Sequence, residues 1–426
     1  MSRTADRSAR SHGDDVRRWH IPPPVLGLTG LTGPEGQVIL EEIAGDAGAL
    51  LWRTFRTAAN WSAVPADRRA DAFPPAVVAE RRDWTETSDL SEELRRPLRT
   101  LADLLDADSG VGDAAAGEAA GEIGEWAISA GHRRTSAEFH QLACSIRPDD
   151  PALALAAAKV TRDLADYARA EVWLQRAVGL ARREGDWHVY IRAHLAYGVL
   201  LRRRGNLPLA RRWVERALRR ANRQGLRLPQ AKAFHDLFAI DLEMGRLDRA
   251  ELFAERAFRA YPNGDPGLLR LVHDLAFLWM ERGAFASAMR TFAVLKGPAR
   301  PDQMPYILGN LARSAGALGD HATFEQSRAE LADLPPIPAV AEAWLEVGRG
   351  ALHLGRDDEA RAAANEAGRL AGDRREHRIE FLVEDFLREI DETQRHGAPA
   401  APPTRSPRNP SFPDEVVAAV GALALT

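Results

Sequence analysis

A helix-length pattern of small residues recurs along the middle of this 426-residue chain and restricts what the chain can fold into. Each copy has a first residue, usually alanine, then a second four positions later and a third three positions after that. Regular copies are Ala170/Leu174/Ala177, Ala210/Val214/Ala217, Ala250/Ala254/Ala257, Ala288/Phe292/Leu295 and Ala360/Ala364/Ala367, and looser copies are Ser136/His140/Ala143 and Phe324/Arg328/Leu331. Because positions i, i+4 and i+7 share one face of an α-helix, the pattern predicts helices that pack closely through small side chains.

These residues and their spacing resemble the tetratricopeptide repeat, a helix–turn–helix unit of about 34 residues. In that frame, seven units begin near Glu118, Ala152, Arg192, Lys232, Arg270, Tyr306 and Glu342, with spacings of 34, 40, 40, 38, 36 and 36 residues. The family's first-helix glycine is present as Gly124, Gly198 and Gly348. The turn between the two helices carries Gly131, Gly205, Gly245, Gly283, Gly319 and Gly355.

The resemblance implies an all-α fold, a right-handed α-solenoid of about seven tetratricopeptide-like helix–turn–helix units with a small helical N-terminal region. A single unit cannot bury its own apolar face, so neighbouring units must stack to form a continuous core. The resemblance also implies that the first helices of the units line a concave groove, and that ligands bind there.

The repeat sets the boundaries of the segments around it. We expect a disordered N-terminus (1–24), a helical N-terminal region (25–112), the repeat array (113–376), a capping helix (377–392), a Pro-rich linker (393–411) and a short apolar C-terminal segment (412–426). The capping helix is predicted from a single apolar stripe that runs from Ile379 to Ile390.

The N-terminal region does not fit the repeat. Thr32-Gly-Pro-Glu is typical of a helix start, and the apolar residues from Ile39 to Phe55 follow helical spacing. Further helices are predicted near 75–84 and over 90–105, the latter broken or kinked by Pro97. We expect three tryptophans of this region to form a small core of its own, namely Trp52, Trp61 and Trp84.

Composition narrows the possible sites and the location of the protein. A single cysteine, Cys144, excludes a disulfide framework and a cysteine-rich metal site, and its place inside a predicted second helix favours a small core residue over a nucleophile. The glycine-rich stretch 27–36 lacks the spacing and the Lys-Ser/Thr ending of a nucleotide-binding loop, so a loop with a helix cap is favoured. We therefore predict no catalytic residues, no cofactor and no metal. With no secretion signal and no membrane-spanning run, we expect a cytoplasmic protein.

Two His-Asp pairs occupy the same positions of consecutive repeats, His235-Asp236 in the fourth unit and His273-Asp274 in the fifth. Family analogy places these positions in the groove. A metal site would need three or four converging ligands, and only two of these pairs exist, one repeat apart. Two interpretations stay open: polar groove residues that face water, or direct contacts to a ligand.

The charge of the chain is uneven. The net charge is −4, but residues 151–230 hold 17 basic and six acidic residues, a local excess of +11 that the rest of the chain offsets with −15. Predicted groove positions in the second and third units are basic: Lys159, Arg162, Arg192, Arg202 and Arg203. The matching positions of the first unit are acidic, with Glu118, Glu122 and Glu125. The basic groove suits an acidic or phosphorylated ligand, although an arginine-biased solvated surface explains the same residues, since 54 of the 57 basic residues are arginine.

The sequence therefore predicts a non-enzymatic scaffold or adaptor that binds a peptide or protein segment, acidic in character, in the groove. The alternative is a repeat-containing regulator of transcription or signalling that senses a peptide or partner protein. Nucleic acid is a second-rank partner because the overall charge is negative, and the oligomeric state stays open. The apolar C-terminal segment is expected to dock on its own chain, either as an extra cap or as a plug in the groove.

Overall fold

In a computed structural model, the structure describes residues 21–22, 36–335, 337–374, 376–396 and 407–423. These residues form 21 α-helices and one 3-10 helix, and no strand occurs among them. The chain divides into two compact units, residues 1–220 and 221–426, with the boundary inside one helix. The predicted all-α fold is confirmed.

Unit 1 contains the N-terminal helices and three helix pairs. Its elements are α1 (Gln37–Glu42), α2 (Gly45–Ala63), a 3-10 helix (Ala66–Arg68), α3 (Arg69–Ala72), α4 (Pro75–Thr87), α5 (Glu92–Asp103), α6 (Asp113–Ser129), α7 (Arg133–Ile146), α8 (Pro151–Asp163), α9 (Tyr167–Glu184), α10 (Trp187–Arg203) and α11 (Leu207–Arg223). The pairs are α6/α7, α8/α9 and α10/α11, and the last three residues of α11 fall in unit 2.

Unit 2 contains four helix pairs followed by two further helices. Its elements are α12 (Arg227–Glu243), α13 (Leu247–Ala260), α14 (Pro266–Glu281), α15 (Phe285–Leu295), α16 (Met304–Leu318), α17 (His321–Ala332), α18 (Pro338–His353), α19 (Asp357–Arg374), α20 (His377–His396) and α21 (Phe412–Leu423). The pairs are α12/α13, α14/α15, α16/α17 and α18/α19, which brings the total to the seven pairs that the repeat predicts.

The turn inside each pair has one backbone design. Six turns place the predicted glycine in the left-handed region, with φ between 68° and 88°. The next backbone N–H then donates to a carbonyl five residues back, as from Asn206 to Leu201 at 2.9 Å, which closes the end of the first helix. The second pair uses the same hydrogen bonds but has Ala165 at φ 61°, the one non-glycine residue with positive φ in the described part of the chain.

Small residues hold the two helices of a pair together, as the repeat predicts. A Cβ on Gly198 of α10 would lie 2.5 Å from Cγ2 of Val214 on α11, so glycine permits this close approach. The five regular copies of the pattern are buried, each residue no more than 3% exposed. Local packing between the two helices therefore follows directly from the sequence pattern.

The N-terminal helices do not have the separate core that the tryptophans suggested. Their apolar residues form one continuous core with the first pair, from Val38 and Ile39 to Phe139 and Ile146. The backbone amides of Arg134 and Thr135 also donate to the carboxylate of Glu42. The prediction of a separate core was wrong because the apolar faces of α1, α2 and α5 are covered by α6 and α7.

The helix boundaries in this region differ in detail from the prediction. The stretch from Ile39 to Phe55 forms two helices instead of one, because the chain is extended at Ile43 and Ala44. Pro97 lies buried inside α5 without ending it. The proposed helix start at 32–35 lies outside the described residues.

Unit 2 ends with two helices that cover apolar surface. The stripe of α20 packs against α18 and α19, with Ile379, Val383, Phe386 and Ile390 buried. The C-terminal helix α21 packs in cis along α15 and the side chains of α13, which are second helices of their pairs. It is neither an end cap nor a plug in the predicted groove: Phe258 and Arg290, which receive it, lie on the second helices α13 and α15, and Trp279 of the first helix α14 contacts it from below them in the core.

Candidate functional site

Five predicted groove residues form a basic surface on two consecutive first helices of unit 1. Lys159 and Arg162 lie on α8, and Arg192, Arg202 and Arg203 lie on α10. Arg192 and Arg203 are exposed, whereas the other three are half-buried. The structure therefore brings the basic residues of α8 and those of α10 side by side, and we refer to these five residues as the basic surface.

An acidic side chain joins the two helices of the basic surface. Oδ1 of Asp163 lies 3.0 Å from Nη2 of Arg162 and 3.0 Å from Nη1 of Arg203. A single carboxylate cannot neutralise two guanidinium groups, so the pair keeps a net positive charge. The sequence showed the arginines but gave no weight to Asp163.

The first helix of the first pair carries the opposite charge. Glu118, Glu122 and Glu125 are exposed on one side of α6, at i, i+4 and i+7. Arg96 of α5 binds both carboxylate oxygens of Glu122, at 2.9 and 3.0 Å. The first helices of unit 1 thus present acidic groups on α6 and basic groups on α8 and α10.

A buried histidine, His140, packs against α6, the acidic first helix of the first pair. His140 of α7 is 1% exposed, and its ring is so close to Gly124 of α6 that a Cβ there would lie 2.8 Å from Nε2. Burial and, next, the charge of Lys159 lower its pKa to about 4. His140 is therefore neutral at physiological pH and belongs to the packing of the first pair.

The two His-Asp pairs of unit 2 meet in one hydrogen-bond network. Nε2 of His235 on α12 donates to Oδ2 of Asp274 on α14 at 3.1 Å, and Nδ1 of His273 lies 3.4 Å from the other carboxylate oxygen. On the other side of the ring, Nδ1 of His235 lies 3.1 Å from the hydroxyl oxygen of Tyr261, within hydrogen-bond distance. His235 therefore connects α12 to α14, whereas His273 pairs with the next residue of its own helix.

The charge of this network is set by its hydrogen bonds. Desolvation opposes ionisation of Asp274, but hydrogen bonds from His235 and His273 outweigh it and lower its pKa to about 2. Burial, followed by the charge of Asp236, raises the pKa of the Tyr261 hydroxyl. Asp236 thus lies near the network, which at neutral pH holds an anionic carboxylate and a neutral phenol.

A cavity of about 560 Å³ opens beside this network, between α14, α16 and the loop that joins α15 to α16. We call it the α14–α16 pocket. Its apolar lining comes from Pro266, Leu269, Leu295, Pro298, Ala299, Tyr306 and Ile307, and its polar lining comes from Arg270, His273, Arg300, Asp302 and Gln303. The volume lies within the range of roughly 300–1,000 Å³ that small-ligand pockets have.

The pocket combines an apolar interior with a charged edge. Leu295 and Ile307 are buried, whereas Arg270 and Arg300 are exposed, and Arg300 holds Asp302 through two hydrogen bonds of 3.0 and 3.1 Å. The ring of His273 packs edge-on to Tyr306, with centroids 6.4 Å apart. The pocket therefore has an apolar interior and two exposed arginines at its edge.

Of the residues that line this pocket, the sequence predicts His273 as a candidate site residue but does not predict Arg270 or Tyr306. Both residues stand at the first position of their repeat units, the fifth and the sixth, so the repeat frame already placed them side by side. The loop 296–303 supplies the remaining wall. Its Gly-Pro and Pro-Asp steps indicated a break between helices but not a cavity.

The other candidates from the sequence give no site. Cys144 is 1% exposed, and burial raises the pKa of its thiol, so it is a core residue. Of the glycine-rich stretch, only Gly36 lies in the described part, where it precedes α1 with φ 80°. Across the described residues, no group of three or more His, Cys, Asp or Glu side chains is placed to hold a metal ion. Among those residues, no helix has both the length and the apolar character to cross a bilayer.

No protein-family model matches the sequence, and no curated protein matches it. Several solved structures are similar in fold. PilF of Pseudomonas aeruginosa is 18% identical to this chain, with a TM-score of 0.42. The match covers 54% of this chain and 97% of the PilF chain. The Rap conjugation gene regulator of plasmid pLS20, solved with the Phr* peptide, is 14% identical, with a TM-score of 0.45. The match covers 75% of this chain and 97% of the regulator. A Rap protein complexed with competence and sporulation factor is 11% identical, with a TM-score of 0.43. The match covers 86% of this chain and 100% of the Rap protein. All three scores are below 0.5, so these similarities carry no argument about function.

Proposed function

We propose that this chain is a tetratricopeptide-like scaffold that binds a peptide or protein segment along its first helices, without chemistry of its own. The observation that carries this proposal is the α14–α16 pocket, because two first helices and the loop between their pairs form it. In the tetratricopeptide family these helices line the ligand groove. A cytoplasmic location remains part of this proposal.

The lining of the pocket defines the ligand that it suits. An apolar or aromatic side chain would enter between Leu269 and Ile307, where burial of apolar area provides the main affinity. A carboxylate next to that side chain would reach Arg270, which is exposed at the edge of the pocket. We therefore propose a peptide in which an apolar residue is followed or preceded by Asp or Glu.

The basic surface of unit 1 supports an acidic ligand independently. Arginine forks bind carboxylates or phosphates with two parallel hydrogen bonds; Arg192 is exposed, and Arg203 is exposed while one of its Nη groups binds Asp163. Exposed charges act mainly on association rate and on salt dependence. We propose that this surface steers acidic segments towards the protein, whereas the pocket selects the apolar side chain.

A random peptide display library tests the pocket. We expect the full chain to enrich peptides that carry an apolar residue beside an acidic one, and Leu269→Arg to abolish the enrichment because the new side chain fills the pocket. Leu318→Arg is the matched control, since Leu318 lies at the end of α16, outside the pocket, and is 44% exposed. Equal enrichment by all three proteins would refute the pocket as the binding site.

The basic surface has its own test. Reversing two charges with Arg202→Glu and Arg203→Glu should weaken the capture of the enriched acidic peptides by about tenfold at low salt, and the loss should shrink at high salt. Unchanged capture at low salt would contradict the proposed role of the basic surface and leave the pocket untouched.

A further inference from the structure

The C-terminal segment 407–423 lies against α13 and α15, second helices of two pairs in unit 2, and also contacts Trp279 of the first helix α14. Phe412, Val416 and Val420 are fully buried there. The ring of Phe412 packs edge-on against Phe258 of α13 and Trp279 of α14, with centroids 5.5 and 6.0 Å apart. These three residues follow each other at intervals of four, which makes one apolar stripe along α21.

Polar contacts fix the direction of this segment. The backbone N–H of Arg408 donates to Oε2 of Glu251 at 3.0 Å, and the amide of Asn409 donates to Oε1 of Glu255 at 3.3 Å. In the first turn of α21, Asp414 pairs with Arg290 at 2.7 Å. Along the segment, the contacts are therefore first to the backbone of Arg408, then to the acidic first turn of α21, and then to its apolar stripe. We call these five residues the second-helix surface, since four of them lie on α13 and α15 and only Trp279 comes from the first helix α14: Glu251, Glu255, Phe258, Trp279 and Arg290.

The second-helix surface contains a charged group that an interior built only for packing would avoid. Glu251 is 2% exposed and binds Arg282, while Trp279 donates its indole N–H to the same carboxylate at 3.1 Å. Burying a carboxylate and a guanidinium costs desolvation that apolar residues of similar volume would not incur. The same carboxylate accepts the backbone N–H of Arg408, so the buried charge also gives the docked segment one orientation.

The helix α21 is a weak occupant of this surface. It has only 12 residues, below the length at which isolated helices are stable in water, and it contains Gly421. It belongs to the same chain as the surface, so it competes there as a tethered ligand. An external helix with the same chemistry and a moderate affinity can therefore replace it.

We propose that the second-helix surface is a docking site for an amphipathic helix of a partner protein, and that α21 occupies it as an internal competitor. The partner helix carries an aromatic residue and two branched apolar residues at i, i+4 and i+8, with Asp or Glu in its first turn. This is helix-in-groove recognition, in which the apolar stripe provides affinity and the charged first turn provides direction.

Variants of α21 test the second-helix surface without changing the α14–α16 pocket. Val416→Asp places a charge in the buried stripe of α21 and should release the helix, whereas Ala418→Asp makes the same change at an exposed position of the same helix. The probe is a fluorescein-labelled synthetic peptide of residues 407–426, added to the full chain. We expect it to bind Val416→Asp at least about tenfold more tightly than the wild type or Ala418→Asp, because only the first variant vacates the surface.

Two further proteins test the assignment of the surface. Phe258→Ala combined with Val416→Asp should lose the probe, since Phe258 contacts the occupant. Gly421→Ala should weaken probe binding to the wild type by about two- to fivefold, because alanine strengthens the competing helix. A designed peptide that keeps only Phe412, Asp414, Glu415, Val416 and Val420 in an otherwise unrelated sequence should bind Val416→Asp within about tenfold of the natural peptide.

Three results would overturn the proposal. The first is no binding of the probe to Val416→Asp while that variant keeps its helical circular dichroism. The second is equal binding to the wild type and to Val416→Asp. The third is a wild-type dimer at micromolar concentration that Val416→Asp dissociates, which would assign the surface to exchange of α21 between copies of this chain. The random-library result for Leu269→Arg is independent of all three.

Discussion

Nε2 of His235 and Oδ2 of Asp274 lie 3.1 Å apart, across two consecutive first helices of unit 2. His235 comes from α12 and Asp274 from α14, so their hydrogen bond fixes how these helices are aligned along their lengths. The hydroxyl of Tyr261 holds the other side of the imidazole. The alignment in turn positions His273, which lines the α14–α16 pocket.

Acid should weaken unit 2 through this hydrogen bond. The pKa of Asp274 in the folded chain is about 2, below its ordinary value of 3.8, so the carboxylate contributes stability above about pH 4 and loses it as the pH falls towards 2. The side chain is 38% exposed, and after discounting for solvent screening we expect a contribution of about 1 kcal/mol. In chemical denaturation, Asp274→Asn should be less stable than the wild type at pH 7, and the two should converge near pH 2. A difference that stays constant between pH 7 and pH 2 would contradict this role.

The turn of the second pair should be improved by glycine. Ala165 has φ 61°, a conformation that costs an L-residue about 1–2 kcal/mol. Glycine adds about 0.4–1 kcal/mol of unfolded-chain entropy, so Ala165→Gly should stabilise unit 1 by about 0.5–1 kcal/mol. The reciprocal change in the third pair, Gly205→Ala, should destabilise it by about 1 kcal/mol, since Gly205 has φ 74° and no atom within 4 Å of an added Cβ. Thermal denaturation of the two variants must shift in opposite directions. Shifts of the same sign would show that backbone conformation does not control these turns.

The first helices α16 and α18 should not tolerate a single added methyl group. A Cβ on Gly316 would overlap the carbonyl oxygen of Gly350, and one on Gly309 would lie 2.8 Å from Cα of Ala343. Because backbone atoms cannot move aside as side chains do, we expect Gly316→Ala to destabilise unit 2 by about 3 kcal/mol. Gly372→Ala in α19 is the control, where the nearest atom would be 3.7 Å away and a helical alanine should add about 0.5 kcal/mol. Equal denaturation midpoints for the two variants would refute the close packing.

Local rules explain why the helix pairs were predictable. The turn glycines, and the small residues that bring α10 within reach of α11, act over distances of fewer than 20 residues. What the sequence pattern could not supply was which apolar faces meet over longer distances. The cover of α1, α2 and α5 by the first pair, and the place of α21 on second helices, depend on shape complementarity that hydrophobic spacing does not encode.

The candidate site was predictable to the same extent. The repeat frame placed His235 and His273 at equivalent positions, and those positions do come close together in space. It did not indicate that Asp274 would accept hydrogen bonds from both, because residue spacing gives no donor or acceptor direction. The pocket itself depends on the path of the loop 296–303, which has no repeat equivalent of the same length.

Removal of one carboxylate should strengthen acidic ligand binding at the basic surface. Asp163 occupies Arg162 and Arg203, and Asp163→Asn leaves both guanidinium groups available to a ligand. A hexaglutamate peptide should bind the variant about two- to fivefold more tightly than the wild type at low salt, with a steeper dependence on salt concentration. The stability should change by no more than about 0.5 kcal/mol, because the side chains of Asp163 and Arg203 are 44% and 42% exposed and their ion pair is screened by solvent.

Glu184→Gln is the matched control for that experiment. Glu184 has the same exposure as Asp163, 44%, and pairs with Arg183 at the end of the second helix α9, so its loss changes the net charge equally without touching the basic surface. If both variants improve binding of the peptide equally, overall charge is responsible and the basic surface has no special role. Improvement by Asp163→Asn alone assigns the acidic ligand to α8 and α10, since Asp163 contacts the arginines of both helices and Glu184 contacts neither.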